Sequence, residues 1–263
     1  MKLGMSVEEI EAAIKVHDPS LVIRMNRVPI TGAQITGPQV GGSDTTLNFG
    51  VGKFVQLLVT ANPVATAAPA AGGSNSIEVR FTVTEPSRAL YINRRASFRP
   101  GEQPLMDQTV QQLREKYGSA SISLERLRIL NSSSTILYWA FGNAGTQLPT
   151  TPFDVDPGFD PHFDRAVDSY GTKINQTSKP DLGTTCRANY FYRPSGQYSS
   201  RCGTELLVQL QPATDAHLLF LLDEKLTGNS IAVDDIQKLM AEAKAEQERQ
   251  LQQQKASGVK TPL

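Results

Sequence analysis

Ile77, Val79, Phe81 and Val83 alternate without interruption with Glu78, Arg80, Thr82 and Thr84. A period of two places successive side chains on opposite faces, so this run predicts a strand with one face on a core and the other on water. Such a strand cannot stand alone. It needs hydrogen-bonded neighbours and a layer packed on its apolar face. Glu85-Pro86-Ser87 then turns the chain, and Ala89–Arg95 predicts an antiparallel partner.

The same reading predicts strands over 21–25, 53–60, 124–130, 135–141 and 204–210. The continuous apolar run Ala216–Leu222 has the length of a central strand. Residues 31–52 are rich in Gly, Thr and Pro and read as loop.

Three helices complete the pattern. Ser6 and Glu9 have capping-box spacing, with Val7, Ile10 and Ile14 behind them, and Asp18-Pro19 ends the helix. A second helix over 107–117 carries Val110, Leu113 and Tyr117 on one stripe, with Gly118 where a left-handed residue belongs. A third starts near Val233, keeps Ile236, Leu239, Met240 and Ala243 on one edge, and becomes polar over Glu246–Lys255. Both early helices precede strand-rich stretches and each has a glycine at one end, an echo too faint to define a repeat.

These elements predict an α+β fold: a mainly antiparallel sheet, two short packing helices and a protruding C-terminal helix. Composition divides the chain into an N-terminal helix–strand segment (1–60), a small-residue linker or insertion loop (61–75), an α+β core with a cysteine hairpin (76–232), and a C-terminal helix with a tail (233–263).

Lys plus Arg and Asp plus Glu both total 26, which argues against a dedicated nucleic-acid binder. No run of about 18 apolar residues exists, so no membrane-spanning helix is expected. Cys186 and Cys202 flank a strand-and-turn pattern, and a disulfide between them would close a loop worth roughly 3 kcal/mol on the chain-entropy model. Two buried thiols are the alternative. Tyr190, Tyr192, Arg193 and Tyr198 on this hairpin form a candidate binding face, weighed against ordinary cross-strand pairing. Asp154, Asp156, Asp160 and Asp164, followed by Asp168, form the richest acidic loop. Their spacing fails the EF-hand pattern, so a solvated loop competes with an irregular cation site and a carboxylate acid–base pair. Arg94-Arg95 reads as a charged edge device, and His217 as a partly buried histidine leading a strand.

Leu3-Gly4-Met5-Ser6, running into Glu8-Glu9-Ile10, resembles a helix start found in bacterial envelope proteins, among them the small lipoprotein of the outer-membrane β-barrel assembly machinery. Leu113 and Lys116-Tyr117-Gly118, followed by Leu137-Tyr138-Trp139-Ala140-Phe141, are similar to a pattern in exported proteobacterial proteins that also carry a C-terminal cysteine pair. The resemblance implies an exported α+β protein with a signal peptide upstream of Met1, and it implies no reaction. The expectation is a periplasmic or secreted, non-enzymatic interaction or structural protein, with no cofactor and with an envelope protein or peptide as partner. The alternatives are an envelope hydrolase using carboxylates of the 154–168 loop, and a cation-stabilised structural protein.

Overall fold

The computed structural model describes residues 1–29, 34–36, 46–48, 54–61, 73–120, 122–129, 132–147 and 203–256. The elements are α1 (Val7–His17), β1 (Val22–Pro29), β2 (Gln34–Thr36), β3 (Thr46–Asn48), β4 (Phe54–Ala61), β5 (Ser74–Phe81), β6 (Ala89–Ser97), α2 (Met106–Tyr117), β7 (Ile122–Ile129), β8 (Ser132–Phe141), β9 (Thr204–Pro212), β10 (Leu219–Gly228) and α3 (Asn229–Ala256). The fold is α+β, as the sequence predicts. Eight strands form one antiparallel sheet in the order β1-β4-β5-β6-β10-β9-β8-β7, and β2 pairs with β3 as a separate ribbon inside the stretch read as loop.

That order conceals a duplication. One helix and four consecutive strands of the sheet (α1, β1, β4, β5, β6) are followed by one helix and four more (α2, β7, β8, β9, β10). The two halves join through their last strands, and the register places a pseudo-twofold axis at the pair Arg94↔Glu224. About this axis the pair Ile92↔Leu226 exchanges with Leu222↔Ala96. Both last strands also carry a register irregularity at equivalent places, at Leu90 and at Phe220. Leu90 is buried and Phe220 is exposed.

Both short helices lie on the same face of the sheet. Ile10 and Ile14 of α1 pack with Leu58, Ile77, Val79, Phe81 and Ile92. Met106 and Leu113 of α2 pack with Leu137, Trp139, Val208, Leu210 and Leu222. Ile92 and Leu222 sit on one face of paired strands, and Leu226 packs against both clusters.

Local chemistry fixes the helix ends. The Ser6 hydroxyl accepts from the Glu9 N–H while the Glu9 carboxylate accepts from the Ser6 N–H at 2.7 Å, a complete capping box. Ser6→Ala is expected to cost about 1 kcal/mol, read as a melting point lower by roughly 2–4 °C. At the end of α2, Gly118 adopts φ 83°, and its carbonyl accepts from the Trp139 indole at 3.0 Å. The Tyr117 and Trp139 rings stand 5.6 Å apart. The Lys-Tyr-Gly and Trp parts of one sequence pattern are therefore a single contact.

Three boundaries differ from the sequence reading. The strand predicted through Thr84 stops at Phe81, because Val83 and Thr84 give their N–H groups to the Asp235 carboxylate instead of a ladder. The run at 216–222 begins as a turn, with Leu218 N–H donating to Asp215 O, and the strand continues through Asp223, Glu224 and Lys225 to Gly228. His217 is exposed in that turn. The last helix begins at Asn229 directly from β10, anchored where the Ser230 N–H donates to Gly203 O and the Asn229 side chain donates to Glu205.

α3 packs through Ala232, Asp235, Ile236 and Leu239, and nearly every described side chain beyond is exposed. At 1.5 Å per residue its 28 residues span ~42 Å, so the distal half stands clear of the sheet.

Candidate interaction site

The face of the sheet opposite α1 and α2 is polar along its central strands. Alternation places Glu78 and Arg80 of β5, Tyr91, Asn93 and Arg95 of β6, and Asp223 and Lys225 of β10 on this side. Arg94-Arg95 is thus no edge device. It occupies one of the two middle strands, with Arg94 facing the helices and Arg95 exposed on the other side.

At the centre, Asn93 lies directly across from Lys225, and Arg95 across from Asp223. The pseudo-twofold axis exchanges Asn93 with Asp223 and Arg95 with Lys225. Directly opposed side chains sit ~5 Å apart and alternate residues along a strand ~7 Å apart. The four groups therefore occupy the corners of a small rectangle, with two cations on one diagonal and two oxygen-bearing groups on the other.

The oxygens on that diagonal are not fully used. Asn93 Oδ1 and Asp223 Oδ1 are buried and accept no hydrogen bond among the described residues. Lys225 reaches the other Asp223 oxygen only at 3.4 Å, and the two side chains are 29% and 14% exposed. Buried acceptors are paired in the great majority of cases, so two unmatched ones at symmetry-equivalent positions are exceptional. Beside them Arg80 is held by Glu78 at 2.6 Å, with its guanidinium 5.0 Å from the Tyr91 ring centre. That neighbour pair is neutral and braced.

On the helix side of the axis, Arg94 and Glu224 approach at 3.5 Å, and Arg94 Nε is buried without an acceptor among the described residues. The axis thus carries a loose ion pair on one face and the four-cornered constellation on the other.

The second feature is a clamped neck. β8 ends at Phe141 opposite Thr204, where β9 begins, and the Gly203 N–H donates to Phe141 O at 2.8 Å. A β-carbon at Gly203 would lie 2.5 Å from Gly142 O and 2.8 Å from its carbonyl carbon, so only glycine fits against this backbone. Gly203→Ala is expected to destabilise by about 1–3 kcal/mol through forced backbone displacement, measurable by thermal or denaturant melting. The paired ends Pro29↔Phe54 and Phe81↔Ala89 lie at the same end of the sheet as the neck, as does the start of α3.

Cys186, Cys202, Tyr190, Tyr192, Arg193 and Tyr198 all lie outside the described residues, as do Asp154, Asp156, Asp160, Asp164 and Asp168. All fall between Gln147 and Gly203 in the sequence. Sequence reasoning did not find the central constellation. Its signal was present in Asp223-Glu224-Lys225, a charged triplet extending an apolar strand run, and in the alternation of Asn93 and Arg95 about Arg94.

Among the described residues, no group of three or more His, Cys, Asp or Glu side chains is placed to hold a metal ion, and no helix is long and apolar enough to cross a membrane. No family model, no curated protein and no solved structure matches the chain.

Proposed function

We propose that this chain is a non-enzymatic binding protein, periplasmic or secreted, that captures a partner on the face of its sheet opposite α1 and α2. The observation that carries the reading is the twofold set of Asn93, Arg95, Asp223 and Lys225, which sets two cations beside two buried oxygens that accept no hydrogen bond among the described residues. A rigid sheet backed by two helices is a suitable platform, because groups fixed to strands lose little freedom on binding. On this reading Tyr190, Tyr192, Arg193 and Tyr198 supply a second contact surface, and Cys186 and Cys202 are joined.

Two experiments test it. Immobilised wild-type chain should retain a partner from envelope extract, and Arg95→Gln combined with Lys225→Gln should reduce retention at least tenfold with a melting point within about 2 °C. Equal retention by the double variant would contradict the role of this face. Thiol titration of the denatured, unreduced chain should find no free thiol, and two reactive thiols would remove the disulfide.

A further inference from the structure

We propose that the chain forms a weak twofold dimer in which the distal part of α3 from one copy docks beside Phe220 and Leu105 of the other. The two related halves of the sheet show where such a helix fits. Equivalent hydrogen bonds align them. The Ala89 N–H donates to Met5 O and the Leu219 N–H to Pro104 O, while the Thr82 N–H donates to Arg88 O and the Ala213 N–H to Leu218 O. Ser6 therefore corresponds to Leu105, Leu90 to Phe220, and the loop at 82–88 to the turn at 213–218.

In the first half, α3 covers this place. A β-carbon at Gly228 would lie within 3.4 Å of Ile231 Cδ1, Leu3 Cδ1 and Leu90 O, so these groups converge at the start of α3. One turn further on, the Asp235 carboxylate takes the N–H groups of Val83 and Thr84. The second half shows no such cover. Phe220 and Leu105 are 47% and 45% exposed, whereas Leu90 is buried. Leu105 also leaves α2 without the side-chain cap that Ser6 gives α1. A leucine at this position forgoes the stability of a cap and adds apolar surface beside Phe220.

Spacing and charge choose the occupant. Ile231 and Asp235 stand four residues apart, one above the other on a helix. The counterpart of Thr84, which faces Asp235, is the exposed Asp215. A helix suited to the second half therefore carries an aliphatic residue and, four positions later, a cation. Leu251 and Lys255 have that spacing on the part of α3 that stands clear of the sheet. Leu251 is 49% exposed, as Phe220 is within the same chain, so their contact joins two copies. Ala256 takes the place that Ile236 holds in the first half, which makes the seat shallower. A twofold arrangement forms the contact twice, and two helix-face contacts fall at the low end of specific interfaces.

The test is sedimentation equilibrium of the full chain from about 5 to 500 µM at about 50 mM salt, a range suited to small interfaces and weak screening. A monomer–dimer equilibrium is expected. Phe220→Ser and Leu251→Ser should each weaken it at least tenfold, with melting points within about 2 °C of wild type because both side chains are exposed. Asp215→Lys and Lys255→Asp should each weaken it severalfold. An equimolar mixture of those two variants should recover dimerisation, since each contact then pairs Lys with Asp, an outcome that misfolding would not produce. A photoreactive residue at Leu251 should crosslink to 213–221 of the other copy. The inference is overturned if the chain stays monomeric throughout, which would leave the patch to a helix of another protein. It is equally overturned if Phe220→Ser dimerises like wild type, or if the mixture associates no better than either variant alone.

Discussion

Trp139→Ala is expected to lower folding stability by about 3–5 kcal/mol, the largest single effect anticipated in the molecule. Trp139 is fully buried in the cluster beneath α2 and is the only tryptophan in the chain. Its removal empties the largest volume in that half and strips the Tyr117 ring of its neighbour. It also leaves the Gly118 carbonyl without the indole donor, at the residue that ends α2. Trp139→Phe separates these contributions. It keeps most of the packing and loses the hydrogen bond, so roughly 1–3 kcal/mol is expected from urea melts of both variants. Equal losses for Phe and Ala would mean that the indole N–H, and not ring volume, dominates.

Asp235→Ala should cost about 3–4 kcal/mol, although it removes little volume. The carboxylate is buried where α3 meets the chain between β5 and β6, and accepts from the N–H groups of Val83 and Thr84 and from the Thr84 hydroxyl. Hydrogen bonds to a charged acceptor contribute more than neutral ones, and three donors would lose their partner together. Asp235→Asn retains one acceptor oxygen but turns an amide toward donors, so an intermediate loss is expected. Because Asp235 also fastens α3, proteolysis should cut the Asp235→Ala variant within 229–256 faster than wild type. Unchanged cleavage there would show that Ala232, Ile236 and Leu239 hold the helix by themselves.

Local signals carried most of the architecture. The alternation at Ile77–Phe81, the Ser6–Glu9 cap and Gly118 each act within a few residues, and the corresponding elements stand where those signals put them. What escaped was long-range. The faint echo between the two helices is a true duplication of architecture, but different core residues fill the halves: Ile10, Ile14 and Phe81 in one, Met106, Leu113 and Trp139 in the other. Packing depends on volume and polarity pattern more than on residue identity, so the two halves share a topology without sharing visible sequence similarity. Asp223-Glu224-Lys225 escaped for a related reason. A charged triplet normally marks an exposed turn, and only pairing with β6 on one side and β9 on the other holds it in a central strand. Arg94-Arg95 reads as an edge pair because nothing in one strand's composition reveals how many neighbours it has. The aromatic and acidic candidates between 154 and 198 carry no comparable local signal, since residue type alone does not say which of them meet in space.

Site-directed crosslinking tests the central claim most directly. A photoreactive residue placed at Arg95, exposed on the face opposite α1 and α2, should form one predominant adduct with a partner in envelope extract. The same residue at Glu248, on the exposed part of α3, should not form it. Adducts that are identical from both positions, or absent from position 95 while retention by the chain persists, would contradict capture at the centre of the sheet.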